Sequence, residues 1–521
     1  MFMDFSLKRI SHVSIFLLFI TLLKSILSIA VRSSMAACFG ATDASDAYFA
    51  AFFVPQQLSD FFIGGILFII IIPVFQKRIS DVGSEEASKD ISALLNISVL
   101  AMGIMTIAYF ILAPWLIPFF FSGFHGEKLE LAVWFSKLLS PAVLLMGLSL
   151  IYISFYHAYR DFFIPSLASL MFPLSSLVSI WMLPDSWGIE RLIYGNLAGS
   201  ILGVFILIIG ISSKLRWKWN RWELGNPLIR STILLSWPVI LESTFSRIHP
   251  FVQRNIASEL PGQGVITLIE LSLFVVGSLI AFIAGPIATA VFPLMGQQRL
   301  DEDEQTVFQT FLKSLRVMIF MILPLNMLLL FESGDIVNLL FRYGKFTDES
   351  CTVMANILLI LSFIIIPNCF SSIGSRVLFV YHETKAISFT GIALGLFILP
   401  FYFIAAKFAG IYGLVSVVSA GAFLSALLVF TILKVKHPSV SFSQLYSFIP
   451  QMAACAVIMG TGMSLAKFTL KNLEMPTVLR FSIVSLTGCI LFILAAKLLK
   501  IDELSYIVKR IPYVKNLAGV V

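Results

Sequence analysis

Residues 11–38 read SHVSIFLLFITLLKSILSIAVRSSMAAC, and apolar stretches of this kind decide the fold. A helix needs about 20 mainly apolar residues to cross a bilayer, and this stretch exceeds that length with only two side chains of permanent charge, Lys24 and Arg32. It is also longer than the apolar core of a signal peptide, and no convincing cleavage site of small residues ends it. The stretch therefore predicts a first membrane-spanning helix.

The composition of the whole chain agrees with this interpretation. The 521 residues are 58% hydrophobic and 12% charged, whereas soluble proteins carry about 25% charged residues. The apolar stretches lack the alternation of transmembrane β-strands, and only helices and closed barrels satisfy their backbone groups inside lipid. The sequence predicts an all-α polytopic membrane protein.

Hydropathy predicts about fourteen transmembrane helices. They fall near residues 11–38, 45–76, 91–112, 129–156, 162–184, 190–212, 229–257, 264–294, 306–331, 350–380, 386–407, 411–434, 444–467 and 477–500.

The order of these spans suggests two six-helix bundles plus two C-terminal helices. The predicted boundaries are 1–212 for the first bundle, 213–228 for a basic cytoplasmic loop, 229–435 for the second bundle, and 436–521 for two additional transmembrane helices and a cytoplasmic tail. The basic loop interleaves positive charge with three tryptophans, as interfacial anchors do. Two interpretations of it remain open, a loop that only fixes topology and a segment that binds lipid.

Positive charge is distributed unevenly between the two sides of the predicted helices. One set of loops holds most of the Lys and Arg residues, including Lys77, Arg78, Lys214, Arg216 and Lys436, and the positive-inside rule makes that side cytoplasmic. Both termini are then cytoplasmic, in a multi-pass membrane protein. Topology also explains the net charge of +7, so a nucleic-acid partner is not expected.

Prolines and glycines interrupt two predicted spans at corresponding places of the two halves. They are Pro55, Gly64 and Gly65 in the second span, and Gly277, Gly285 and Pro286 in the eighth. Broken helices at matching positions of a repeat point to a transport site near the midplane. The alternative is that small residues only allow close helix packing.

Ionisable residues inside spans are costly and normally face a partner or a wet cavity, so they are candidates for a functional site. We expect a coupling ion to bind at Glu242. The candidate substrate-binding residues are Lys24, Arg32, Asp46, Asp60, Arg247, Arg254 and Glu270.

The seventh span carries the densest group of charges. Arg247 and Arg254 lie within about 20° of each other on a helix, which makes a basic stripe suited to a pyrophosphate, because guanidinium binds phosphate oxygens bidentately. The alternative is an internal ion-pair network of both arginines with Glu242 and Glu259. His249 precedes a proline, so it marks either a kink or a proton relay.

Signatures of enzymes are missing from the sequence. There is no G-x-S-x-G, H-E-x-x-H or Walker-A motif, and the five cysteines show no C-x-x-C spacing. We expect a transporter rather than an enzyme, with no cofactor and no metal site. Without an ATP site, transport must draw on an ion gradient of H⁺ or Na⁺, on the membrane potential or on the substrate gradient.

Several segments together resemble the MurJ/MviN family of the multidrug, oligosaccharidyl-lipid and polysaccharide exporter superfamily. They run in the family's order over nearly the whole chain. The segments are FGATDASDAYFAAFFVP at 39–55, APWLIPFFFSGF at 113–124, YRDFFIP at 159–165, LFRYGKF at 340–346 and YHETKAIS at 381–388.

The resemblance implies a flippase of peptidoglycan synthesis. Its cargo would be lipid II, the undecaprenyl-pyrophosphate-linked precursor, moved from the cytoplasmic to the periplasmic leaflet by alternating access of two bundles around a cationic cavity. The partners implied are this lipid-linked substrate and the membrane lipids.

This chain departs from the family where cavity arginines are usual. The family's arginine pair of the second helix falls at about Ser59 and Asp60, and its aspartate-arginine pair of the eighth helix falls at about Ser272 and Leu273. Arg32 lies close to the family's first-helix arginine, and Lys24 is a rough counterpart of another basic position. Two alternatives therefore stay open, a flippase for another polyprenyl-linked saccharide and a transport-inactive membrane scaffold.

Overall fold

The computed structural model describes residues 7–59, 72–159, 161–211, 248–300, 303–438 and 441–510. Within these ranges the chain forms helices joined by turns and short loops, without a β-strand. The all-α prediction is confirmed for this part of the chain.

By internal contacts the chain divides into two units. Unit 1 comprises Met1–Thr267 together with Tyr343–Thr347, and unit 2 comprises Leu268–Arg342 and Asp348–Val521. The domain boundaries expected from the sequence stay a prediction, because residues 212–247, which contain the basic loop, lie outside the described residues.

Unit 1 is built from eight described helices and the first turn of a ninth. They are α1 (Leu7–Phe39), α2 (Asp43–Ser59), α3 (Ile72–Phe120), α4 (Gly126–Leu139), α5 (Pro141–Ala158), α6 (Phe163–Met182), α7 (Glu190–Ile211) and α8 (248–259). Helix α3 is kinked at Gly83, whose φ of 82° and ψ of 168° are not helical.

Unit 2 contains the rest of α9 and all later helices. They are α9 (Val265–Leu300), α10 (Glu304–Phe341), α11 (Asp348–Ser362), α12 (Ile365–Val380), α13 (Thr384–Lys436), α14 (Ser443–Leu470), α15 (Thr477–Leu498) and α16 (Asp502–Arg510). Two of them are interrupted, α10 at Glu332 and α13 at Ala409 and Gly410. The 53-residue α13 thus contains two of the predicted spans, 386–407 and 411–434.

Ten helices in the described ranges are long and apolar enough to cross a membrane, or eleven if the bent pair α11 and α12 is one span. Large apolar side chains stay exposed on such helices, with exposed fractions of 74% for Phe119, 83% for Phe408 and 75% for Phe468. This is the expected surface of a protein whose solvent is lipid. The polytopic prediction is confirmed, while the exact number of fourteen spans stays a prediction.

Two predicted single spans are pairs of helices. The span expected at 129–156 consists of α4 and α5, which meet at Ser140, and the span expected at 350–380 consists of α11 and α12, bent by 41°. Pro141 opens α5 and Pro367 lies in the first turn of α12. Because proline lacks the N–H that would continue a helical ladder, each pair breaks there.

The predicted interruption of the eighth span is wrong. Helix α9 runs from Val265 to Leu300 through Gly277, Gly285 and Pro286 without a described break. Helix α2 likewise continues through Pro55, and Gly64 and Gly65 lie outside the described residues. A single proline is tolerated inside a membrane helix when neighbouring groups satisfy the freed carbonyl.

Close packing of small residues joins α6 and α7 in unit 1. Gly195, Gly199 and Gly203 recur at every fourth position of α7, and a Cβ atom at Gly199 would lie only 2.6 Å from the Met171 carbonyl oxygen of α6. Such small-residue faces let membrane helices approach closely.

Buried polar groups add to this packing. Asn196 of α7 donates to the Tyr48 hydroxyl of α2 over 2.8 Å and accepts from the Ser176 hydroxyl of α6 over 2.6 Å. All three side chains are almost fully buried. The polar network therefore ties three helices of unit 1 together at one point.

The segment Tyr343–Thr347 packs on the end of α1 within unit 1. Its Lys345 N–H donates to the Ala37 carbonyl oxygen over 2.8 Å. Gly344 has a φ of 58°, and a Cβ atom there would lie 2.2 Å from the Ala37 oxygen. Only glycine fits this position, because any side chain would clash and L-residues rarely adopt this backbone conformation.

Candidate functional site

The described residues include five of the eight candidate site residues. Lys24 is exposed on α1, Arg32 of α1, Arg254 of α8 and Glu270 of α9 are half-buried, and Asp46 of α2 is fully buried. The remaining three, Asp60, Glu242 and Arg247, lie outside the described residues. The predicted stripe of Arg247 and Arg254 therefore stays a prediction.

Asp46 lies in the first turn of α2, where a carboxylate is favoured by the helix dipole. The turn that precedes it is held by Ser45, whose hydroxyl donates to the Gly40 carbonyl oxygen over 2.8 Å. Thr42 supports the same turn, since its hydroxyl oxygen accepts from the Ser45 N–H over 3.4 Å. Local hydrogen bonds thus fix where the Asp46 side chain points.

The Asp46 carboxylate joins three helices. Its Oδ1 accepts from both the N–H and the hydroxyl of Thr267, over 2.8 and 2.7 Å, and its Oδ2 accepts from Lys128 Nζ of α4 over 2.8 Å. Thr267 lies in the first turn of α9, whose N–H groups have no partner within the helix. Asp46 therefore caps α9 from a distance while Lys128 balances its charge.

Lys128 also contacts a second carboxylate, Asp43, with Nζ 3.0 Å from Oδ1. Its ammonium group lies over the Phe124 ring, 4.6 Å from the centroid. The side chain of Asp46 is 1% exposed and that of Lys128 is 16% exposed, so this ion pair is largely removed from water. A direct contact of Asp46 with substrate would require these bonds to open, and its substrate role stays a prediction.

Two candidate arginines meet on one face of α2. Arg32 lies over the Phe49 ring at 5.0 Å from the centroid, and Arg254 lies over the Phe53 ring at 3.9 Å. Phe49 and Phe53 are four residues apart, so their rings are neighbours on the helix surface. The structure thus brings together two cationic side chains from α1 and α8 that are more than 200 residues apart in the sequence.

Aromatic packing holds α8 against this face. Phe251 packs on Phe53 with centroids 5.0 Å apart and on Phe120 of α3 with centroids 4.4 Å apart. Asn255 donates to the Phe120 carbonyl oxygen over 3.2 Å, and Arg254 Nη1 donates to the Pro250 carbonyl oxygen over 3.3 Å. The position of Arg254 is therefore set by several contacts of its own helix.

Guanidinium groups on aromatic rings suit anion binding. The stacked face contacts the ring, while the five N–H donors lie around the edge in the fork geometry that matches phosphate oxygens. Charge-assisted bonds of this kind are about twice as strong as neutral ones. This pair can recognise a phosphate or a pyrophosphate.

Two half-buried cations, Lys128 and Arg376, were not among the residues singled out from the sequence. Arg376 lies in α12, inside a predicted span, with its guanidinium 5.8 Å from the Phe292 centroid and no ion pair to the described residues. The signal for Arg376 was present, since it is an ionisable residue within an apolar run. Lys128 had no such signal, because it stands at the edge of a span and its partner Asp46 is 82 residues away.

The apolar helices, the buried ion pairs between them and the cationic aromatic face define a polytopic helical membrane transporter. A family model described as lipid II flippase MurJ matches residues 35–486. The chain belongs to the MurJ family, so the resemblance read from the sequence is confirmed, as is the expectation of a transporter rather than an enzyme.

Individual relatives are distant. The lipid II flippase MurJ of Burkholderia cenocepacia is 21% identical over 352 residues, which cover 65% of this chain and 67% of the relative. The probable lipid II flippase MurJ of Borreliella burgdorferi is 23% identical over 61% of this chain and 63% of the relative. That of Thermotoga maritima is 23% identical over 91% of this chain and 94% of the relative.

Solved structures support the same fold. A lipid II flippase MurJ in an inward closed conformation has a TM-score of 0.80 at 21% identity and covers 94% of this chain and 99% of its own. An inward-facing multidrug transporter of the MATE family has a TM-score of 0.67 at 17% identity and covers 79% of this chain and 94% of its own. At these identities the likeness concerns the fold.

Proposed function

We propose that this protein is a flippase that moves lipid II from the cytoplasmic to the periplasmic leaflet by alternating access, as a step of peptidoglycan synthesis. The observation that carries the proposal is the pair of guanidinium groups, Arg32 and Arg254, on neighbouring rings of α2. Membership of the MurJ family supports the choice of cargo.

The pyrophosphate of lipid II is the group that this pair suits. An arginine inside a membrane costs at least about 2.5 kcal/mol on insertion scales, so arginines within spans are candidates for a functional site. A pyrophosphate offers several oxygens that accept bidentate bonds. Arg32 lies close to the family's first-helix arginine, and Arg254 would replace part of the positive charge that the family carries where this sequence has Ser59, Asp60 and Leu273.

The remaining candidates fit the same proposal. Arg247, which lies outside the described residues, is a further candidate for phosphate binding, and Lys24 adds positive charge to the helix of Arg32. The carboxylates Asp46, Asp60 and Glu270 would position cations around the head group. Transport draws on an ion gradient of H⁺ or Na⁺, on the membrane potential or on the substrate gradient, and Glu242 is the candidate residue for a coupling ion.

The proposed orientation follows from the loop charges. The Lys-rich and Arg-rich loops face the cytoplasm, so both termini are cytoplasmic. Membership of the MurJ family supports a location in the bacterial inner membrane. Lipid II then enters from the cytoplasmic leaflet and leaves into the periplasmic leaflet.

A complementation experiment tests the proposal. A strain depleted of its own lipid II flippase receives the wild type, Arg254→Ala, Arg247→Ala or Arg32→Ala, with membrane expression measured for each. We expect rescue by the wild type and loss of rescue by each alanine variant, because each removes a phosphate-binding cation.

The matched control is Arg342→Ala, which removes an arginine from an exposed ion pair with Asp348. Exposed pairs contribute little to stability, so this variant should rescue growth. Failure of the well-expressed wild type would refute lipid II as the cargo. Full rescue by all three alanine variants would refute the cationic binding site.

A further inference from the structure

Two buried carboxylates lie on α10 at its interruption. Glu332 is 0% exposed and Asp335 is 4% exposed. The helix departs from regular geometry at Glu332, where φ is −119° and ψ is 17°. Ionised carboxylates are rarely buried without a specific arrangement of partners.

The two additional C-terminal helices each supply one cation to these carboxylates. Lys467 Nζ of α14 lies 3.1 Å from Glu332 Oε1 and donates to the Phe331 carbonyl oxygen over 2.8 Å. Arg480 of α15 donates to Asp335 Oδ1. Lys467 thus bonds both to the Glu332 carboxylate and to a backbone oxygen beside the interruption of α10.

One oxygen of each carboxylate has no donor. Glu332 Oε2 and Asp335 Oδ2 are buried and make no hydrogen bond to the described residues, although the two side chains, three residues apart on α10, are neighbours on one face of the helix. Two ionised carboxylates at such a distance repel one another, and a shared proton removes the repulsion. A single proton would satisfy both buried oxygens at once.

We propose that Glu332 and Asp335 form a proton-binding site in which Glu332 Oε2–H donates to Asp335 Oδ2. The proton enters from water and leaves to water, so only an O–H bond forms and breaks. When the proton leaves, the two carboxylates separate and Glu332 depends on Lys467 alone. The interruption of α10 changes with it, because Lys467 also bonds to Phe331.

The chemistry of the cluster favours a proton over a metal ion. Hard cations take about six or more oxygen ligands, whereas this cluster offers two carboxylate oxygens that lack a donor. Lys467 and Arg480 already balance the two carboxylates, so a metal ion would add excess positive charge.

Other charged groups of the helices around α10 are engaged elsewhere. Arg316 of α10 pairs with Glu503 of α16, and Arg342 pairs with Asp348 of α11. Arg376 of α12 lies over the Phe292 ring. Within the described part of unit 2, the groups in contact with the acid pair are therefore Lys467 and Arg480.

The site offers a way to couple transport to a proton gradient, an extension that rests on the proposed function. It differs from the Glu242 candidate because its carboxylates lie on α10 and its cations come from the C-terminal helices α14 and α15. Binding of the proton itself can be measured without any transport.

Infrared difference spectroscopy on the full-length protein in lipid vesicles tests the site. As the pH is raised stepwise, we expect the wild type to lose the C=O stretching band of a protonated carboxyl group, reversibly. Glu332→Gln and Asp335→Asn should each remove this change, while Glu259→Gln should keep it, because Glu259 is an exposed carboxylate that accepts from Ser122.

A wild type without such a titrating band would overturn the proposal, whether or not the variants fold. A band that persists in both variants would overturn it as well. Lipid II flipping under an imposed proton gradient is measured on the same vesicles. Flipping without the band leaves the proposed function intact and refutes the proton-binding site. The band without flipping supports the proton-binding site and refutes the proposed function.

Discussion

Lys128 Nζ lies 2.8 Å from Asp46 Oδ2, so a cation at the start of α4 neutralises a carboxylate buried at the start of α2. The same carboxylate accepts two hydrogen bonds from Thr267 at the start of α9. Three helix beginnings are thus joined through one side chain. Removing one partner of a buried ion pair is costly, because the other charge stays buried and uncompensated.

Substitution Lys128→Met should destabilise the protein by about 3 to 5 kcal/mol, because Asp46 would lose its counter-charge. Thermal unfolding in detergent measures the effect. The matched control is Lys137→Met on the same helix, since Lys137 has no ion pair to the described residues and only lies 5.9 Å from the Phe110 centroid. Equal melting temperatures of the two variants would contradict the prediction.

Substitution Thr267→Val should weaken the protein and Thr267→Ser should not. Valine keeps the N–H bond to Asp46 but removes the hydroxyl donor, a loss of about 1 to 3 kcal/mol for a buried charged acceptor. Serine retains the hydroxyl. Unfolding midpoints of both variants in the same detergent give the comparison, and a serine variant as unstable as the valine variant would show that the methyl group matters instead.

Substitution Gly344→Ala should displace the segment Tyr343–Thr347 from the end of α1. The added Cβ would lie 2.2 Å from the Ala37 oxygen at a φ of 58°, and strain of this kind costs about 1 to 3 kcal/mol. Gly334→Ala is the opposite case, because nothing lies within 4 Å of a Cβ there and alanine favours a helix by up to about 1 kcal/mol.

Protease resistance of the two glycine variants distinguishes them. We expect faster cleavage near residues 343–347 for Gly344→Ala than for the wild type. Gly334→Ala should be cleaved at the wild-type rate or more slowly. Identical cleavage of both variants would argue against a tightly docked segment.

Substitution Phe53→Leu should weaken lipid II binding, because it removes the ring under the Arg254 guanidinium. A partly desolvated cation–π contact is worth about 0.5 to 2 kcal/mol, which corresponds to roughly a two- to thirty-fold increase in Kd. Phe53→Tyr keeps an aromatic face and should retain most of the affinity. Binding is measured on purified protein with lipid II, and equal affinities of both variants would contradict a role for the ring.

Hydropathy was sufficient for the helical class and for most span positions, because lipid forces long apolar helices on any chain that crosses it. It failed at the breaks. Hydropathy averaged over a span predicts one continuous helix at 129–156 and another at 350–380, so it gives no sign of the joint at Ser140 or of the bend between α11 and α12.

The site was harder to predict than the fold. Intramembrane charge made Arg32 and Arg254 candidates, but no spacing rule could show that both would pack on rings of one face of α2, those of Phe49 and Phe53. The pairing of Lys128 with Asp46 depends on contacts between distant segments. Asp335 and Arg480, 145 residues apart, were missed for the same reason.

The hydrogen bonds of Asn196 with Tyr48 and Ser176 restrict how unit 1 can move. If any one of α2, α6 or α7 slid by a helical turn, about 5.4 Å, these polar groups would lose their hydrogen-bond partners in an apolar interior. The three helices must therefore travel as one block through a transport cycle. We expect unit 1 to bend elsewhere, for example between α4 and α5 at Ser140 and at the kink of α3 at Gly83.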